Sequence, residues 1–171
     1  MTLITDAMQA AVGRELGRAV SFPISVSDIR KWAIAVYYPD EPPRLFWDEA
    51  HAATTVHGGI VAPEEFNPFA WMTADPSGLP PSGPLRIDPD RTERLLGLEP
   101  LGLQFMLNGG IDVEYGVRMR PGDVITSVQS LSGYREREGR LGLMMFTTSE
   151  NLWTNQRGEV VKRYQGTVIR Y

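Results

Sequence analysis

Cysteine is absent from the 171-residue chain. Disulfides, thiolate nucleophiles and cysteine-ligated zinc are therefore excluded, and a reducing compartment suits the sequence. Histidine is nearly as scarce, with two residues, His51 and His57. They sit in HAATTVH, which lacks the i, i+4 spacing and general-base glutamate of an H-E-x-x-H zinc helix, so no metal site is expected. Basic charge does not dominate. Lys and Arg number 17 against 21 Asp and Glu, for a net charge of -4, and the basic stripe of a nucleic-acid groove is missing. No apolar run approaches the roughly 18 residues of a membrane span. Residues 1–20 include Asp6 and Glu15 and lack the apolar stretch of a signal peptide. These absences point to a cytoplasmic protein with no nucleic-acid or membrane partner, and nothing calls for a cofactor.

Hydrophobic residues at 42% and charged residues at 22% are ordinary for a globular chain, and the length predicts one domain over residues 1–171. Residues 5–16 read as a helix capped by Thr5 or Asp6. Residues 19–26 read as extended, with Pro23 arguing for an edge. Ser27 is the expected cap of a helix whose Ile29, Trp32, Ala33 and Val36 share one face, and Pro39 stops it. YYPDEPPRLFW then forms an irregular loop, and Asp48 caps a further short helix. Pro63 is placed to start a central helix over residues 63–74, with Glu64 and Glu65 at its positive end and a kink at Pro68. Residues 75–102 are a Pro/Gly-rich flexible connection suited to a flap, with a helical turn at Arg91–Leu96. From residue 109 the pattern alternates, and short turns predict a meander of long antiparallel strands over 109–171. The fold expected is α+β, an antiparallel sheet around a central helix, with the hot-dog fold as its form.

Three stretches carry a family resemblance. They are SDIRKWAIAVYYPDEPPRLFWDEAHA, GGIVAPEEF, and NGGIDVEYGVRMRPGDVI followed by GYREREGRLGLMMFTTSENLWTNQRGEVVKR. Together they resemble the MaoC-like hydratase/dehydratase family in its FAS1-type dehydratase branch, with residues 27–57 as the overhang segment. The resemblance implies an acyl-CoA or acyl-carrier-protein thioester as ligand, and addition of water to an enoyl thioester or its removal from a 3-hydroxyacyl thioester. That chemistry needs an acid/base pair and an N–H donor for the developing enolate oxygen.

The catalytic pattern of the family is broken here. Its D-x-N-P-x-H loop corresponds to YPDEPPRLFWD, which puts either Asp40 or Glu41 in the Asp position and either Leu45 or Phe46 in the His position. Its A-H-G at the start of the central helix, whose glycine N–H is the oxyanion donor, reads Ala62-Pro63-Glu64: Pro63 has no N–H, although Glu64 does. The resemblance therefore implies an acyl-binding, non-catalytic subunit of a heteromeric hydratase or dehydratase, partnered by a second MaoC-like chain that is catalytic. The alternatives are a self-sufficient homodimer using Asp40, Glu41, His57 or Glu64, and a non-enzymatic acyl-CoA-binding protein. Pro63, Phe66, Phe69 and Ala70 are the candidate substrate-binding residues. The plainer readings stand beside these: His51 as a solvated residue, His57 as a turn residue, Glu64 and Glu65 as helix-start charges. Trp32, Trp47, Phe66, Phe69 and Trp71 read as core, and Arg118 and Arg120 as solvated charges or contacts for a CoA phosphate.

Overall fold

The computed structural model describes residues 2–70, 88–140 and 142–171. Helix α1 (Asp6–Ala10) is capped by the Thr5 hydroxyl, which accepts from the Met8 N–H. It is shorter than the expected 5–16. Gly13 adopts a φ of 90° and donates to the Leu131 carbonyl, so the chain reverses and strand β1 (Glu15–Val20) begins inside the predicted helix. The stretch expected to be extended continues past β1 through bonds from Ser21 and Ile24 to the carbonyls of Ile125 and Asp123.

Helix α2 (Val26–Tyr37) is capped by Ser25, not Ser27. The Ser25 hydroxyl accepts from the Asp28 N–H and the Asp28 carboxylate accepts from the Ser25 N–H. This reciprocal box recruits the acid at the third helical position. The helix stops ahead of Pro39 as expected, a 3-10 turn spans Arg44–Phe46, and Asp48 caps α3 (Glu49–Ala53).

The helix expected over residues 63–74 is not formed in its described part. Phe66 donates to the Pro63 carbonyl at 3.0 Å, closing one turn. Pro68 then has no N–H to give and disfavours a helical Asn67. Asn67 restarts the chain, its side chain accepting from Phe69 and its carbonyl from Ala70. Residues 71–74, Trp71 among them, lie outside the described residues, as do residues 75–87 of the expected flap. The described remainder of that connection is not loose: it contains α4 (Arg91–Leu96) and is anchored by buried charge.

Strands β2 (Met106–Tyr115), β3 (Thr126–Gly139), β4 (Gly142–Thr154) and β5 (Val160–Arg170) join β1 in one antiparallel sheet of order β1-β3-β4-β5-β2. The meander holds for β3, β4 and β5. It fails for β2, which pairs with β5 at the far edge. The Arg120–Asp123 turn therefore joins no hairpin. Gly116 and Val117 donate to the carbonyls of Val161 and Val160, and the chain crosses to meet Ile24 at Gly122. A Cβ at Gly116 would fall 2.0 Å from the Val160 carbonyl oxygen, so glycine is required at this close approach.

Register places Trp153, Asn151, Ser149, Thr147 and Met145 of β4 on one face. Lys162, Tyr164, Gly166, Val168 and Arg170 of β5 share it. This inner face is covered at one end by an apolar core of Ile29, Ala33, Phe46, Val61, Phe66, Ile125 and Trp153. At the other end lies a smaller cluster of Ala11, Leu96 and Leu131. Beside it, buried Arg170 grips Glu93 through Nη1 at 2.6 Å and Nη2 at 2.8 Å, and Nη2 also donates to Thr147 at 2.7 Å. Burial pushes the Glu93 carboxyl up, but the hydrogen bonds and charge of Arg170 outweigh it and hold the group below the usual carboxylate value. Burial and the Glu93 charge push the Tyr134 hydroxyl up. Among the described residues no helix is long and apolar enough to cross a membrane.

Candidate functional site

The lead-in to the central segment is fixed by packing. Ile60, Val61, Ala62 and Pro63 are buried, and Ala62 donates to the Met119 carbonyl at 2.9 Å. Phe66 is fully buried and meets Trp32 edge-on at 5.6 Å. Phe69 meets Trp153 edge-on at 5.0 Å. Pro63, Phe66, Phe69 and the half-buried Ala70 thus belong to one continuous segment lying against the apolar end of the inner face.

Glu64 and Glu65 project outward from this segment and meet cations. Glu64 lies 3.4 Å from Arg118, and Glu65 lies 3.1 Å from Lys162. The Lys162 ammonium sits 5.2, 5.4 and 5.8 Å from the ring centres of Tyr115, Trp153 and Tyr164, a cation–π arrangement that helps to hold a buried charge. Burial raises the Tyr164 hydroxyl above its ordinary value, opposed by its hydrogen bond with Asn151.

The overhang loop is organised differently. Asp40 and Glu41 are exposed. Glu41 borders a shallow recess of about 180 Å³ with Arg30, Ile34, Pro42 and Trp47. Both residues that stand at the family's histidine position pack inward. Phe46 is 5% exposed and Leu45 lies against the same core. Trp47 fixes the loop by donating from its indole to the Pro42 carbonyl at 3.0 Å.

His57 lies elsewhere. It lines a separate cleft of about 600 Å³ with Val117, Arg118, Arg120, Arg157 and Glu159. The described linings of this cleft and of the Glu41 recess share no residue. The structure therefore places His57 in one cleft, with Glu64 paired to its lining residue Arg118, and leaves Asp40 and Glu41 in another place. His51 is half-buried in α3, where its N–H donates to the Asp48 cap at 2.9 Å. Arg120 reaches across to donate to the His57 carbonyl at 2.7 Å. Among the described residues there is no cluster of metal-ligating side chains.

Sequence reasoning missed Arg157, Lys162, Glu93 and Arg170. Arg157 hides in a turn, where charge is unremarkable. Lys162 and Arg170 carried a signal: they fall in phase with Tyr164 and Val168 on the inward side of β5, and an inward charge in an alternating strand asks for a buried partner.

The sequence model for the FAS1-like dehydratase domain region matches residues 10–164. Among curated proteins none matches in sequence. A MaoC-like dehydratase from Rhodospirillum rubrum superposes with a TM-score of 0.58 at 22% identity, covering 94% of this chain and 92% of that one. A chain of the ChsH1-ChsH2 complex from Mycobacterium tuberculosis gives 0.70 at 18% identity, with 96% and 88% covered. A chain of the HadBC 3R-hydroxyacyl-ACP dehydratase complex from the same organism gives 0.55 at 16%, with 92% and 99% covered. These likenesses establish the hot-dog fold.

Proposed function

The chain belongs to the FAS1-like dehydratase family of MaoC-like hot-dog proteins, and on that premise we propose that it is the acyl-thioester-binding, non-catalytic subunit of a heteromeric enoyl-thioester hydratase or 3-hydroxyacyl-thioester dehydratase. The carrying observation is the overhang loop. Leu45 and Phe46, the two residues at the histidine position, are built into the core, and the carboxylates at the aspartate position, Asp40 and Glu41, face solvent. A pair that must hold water against an α-proton has no second member there.

The partner is a second MaoC-like chain carrying the intact D-x-N-P-x-H loop, and a cytoplasmic setting suits a sequence without cysteine. Strand β2 is the edge offered to it. Its ten residues are almost wholly exposed, Ile111 on the inner face is 60% exposed, and an unpaired edge of this length is a template for another strand. The ChsH1-ChsH2 and HadBC structures are complexes of paired chains, which supports the same for this one.

The test is turnover. The purified chain is expected to leave crotonyl-CoA and longer enoyl-CoA thioesters unhydrated, and to gain activity on mixing with a MaoC-like partner bearing the Asp/His loop. Hydration by the lone chain at ordinary enzyme rates would sink the proposal. It would favour the reading in which His57, which lines the arginine cleft, and Glu64, which pairs with Arg118 of that cleft, act as the acid/base groups. In that case His57→Ala and Glu64→Gln abolish the rate.

A further inference from the structure

The His57 cleft differs in chemistry from an acyl pocket. Val117 is the one apolar residue in its described lining, beside three arginines, His57 and Glu159. Two separate parts of the chain supply the cations: Arg118 and Arg120 come from the crossover after β2, and Arg157 from the turn between β4 and β5. Each is positioned. Arg120 is tied to the His57 carbonyl. Arg157 is held by Asp123 at 3.0 Å and Glu159 at 2.7 Å. Arg118 approaches Glu64 at 3.4 Å, and its Nη1 is buried without a hydrogen-bond partner. A guanidinium has five N–H donors. Among the described contacts Arg120 uses one and Arg157 two, so anchoring leaves donors for a ligand.

We propose that this cleft is an anion site for the phosphate groups of the acyl carrier arm, a sugar phosphate or phosphoanhydride, with the apolar acyl chain held elsewhere. Planar guanidinium forks match phosphate oxygens in pairs, and about 600 Å³ is the size of a small-molecule site. An alkyl chain gains little among charged walls, whereas a multiply charged phosphate ligand finds three preplaced guanidinium groups. Glu159 offsets the charge of Arg157 and Glu64 that of Arg118, so a phosphate binds by exchanging with these exposed carboxylates, while Arg120, held by a neutral carbonyl, keeps its full charge. The proposal depends on the acyl-thioester reading only for the origin of the ligand. That the cleft binds phosphate is an independent claim.

The full chain is titrated calorimetrically with adenosine 3′,5′-bisphosphate, with 4′-phosphopantetheine and with unphosphorylated pantetheine. Saturable binding of a phosphorylated probe, absent for pantetheine, is expected. A tighter nucleotide identifies free CoA as the source, and tighter phosphopantetheine identifies a carrier protein. Arg118→Met and Arg157→Gln should each weaken binding by about tenfold, the loss of one charge-assisted contact. Arg118→Lys, which keeps the charge but loses the planar fork, should fall between the unaltered chain and Arg118→Met, and added salt should weaken binding. No saturable binding of either phosphate probe, or binding that Arg118→Met combined with Arg157→Gln leaves unchanged, overturns the site. A chain that binds the nucleotide through these arginines and yet holds acyl-CoA no better than CoA keeps this site and loses the acyl-binding reading. Acyl-CoA binding that the arginine variants do not alter does the reverse.

Discussion

At the Trp153 end of the inner sheet face, Phe66, Ile125 and Trp153 pack beneath α2 and the turns around residue 63, and the charges lie on the rim as partly exposed pairs. At the Arg170 end the charge is inside. Arg170 is 2% exposed and Glu93 0%, and the pair ties α4 to the last strand. The apolar end closes by area, which is non-directional and tolerates small changes. The charged end closes by geometry, in which each donor and acceptor depends on the others. The rim pairs at the apolar end can therefore be exchanged for a ligand at small cost, while the buried pair cannot. The candidate cleft lies beside the exchangeable pairs.

The largest expected effect breaks the charged end. Arg170→Met leaves Glu93 and Asp90 buried without their cation and should cost about 3–5 kcal/mol in urea unfolding. Replacing the pair together, Arg170→Met with Glu93→Leu, should recover most of that loss. A double variant as unstable as the single one would show that the fold needs the ion pair itself.

A smaller effect tests the apolar end. Ile125→Val should cost about 0.5–1.5 kcal/mol, and its effect should add to that of Arg170→Met because the two ends share no partners. Acid titration separates the ends by sign. The Glu93 carboxyl is held below its ordinary 4.5, so its contribution is full above that value and is lost as pH falls through the folded-state value. Glu93→Gln should start less stable at neutral pH and show a flatter stability profile in acid, whereas Ile125→Val should shift the whole profile evenly. The smallest effect lies on the rim. Glu64→Gln should change stability by less than about 0.5 kcal/mol, read from thermal unfolding.

Local chemistry made much of this fold legible. The alternation of Ile111, Val113 and Tyr115 marked β2, Asp48 marked the start of α3, and the Asn155–Gly158 turn marked the β4–β5 hairpin. Pro68 announced trouble inside the central segment, and the chain does break into two turns there. What stayed illegible was non-local. The Pro121-Gly122 turn reads the same whether it closes a hairpin or carries a crossover, and only the pairing of β2 with β5 decides it. Ser25 and Ser27 are equivalent as caps until the distance to Asp28 selects one. At the candidate site the apolar replacement of the histidine position was visible in Leu45 and Phe46. The gathering of Arg118, Arg120 and Arg157 was not, because the crossover and the β4–β5 turn meet only in the folded chain.

Gly116 turns the crossover into a marker for reading other sequences. With a Cβ there falling 2.0 Å from the Val160 oxygen, even alanine forces β5 and the crossover apart. A relative that keeps this path should show glycine at the position whatever its substrate. One that has lost the glycine should be expected to route the chain differently, and with it the two arginines that follow.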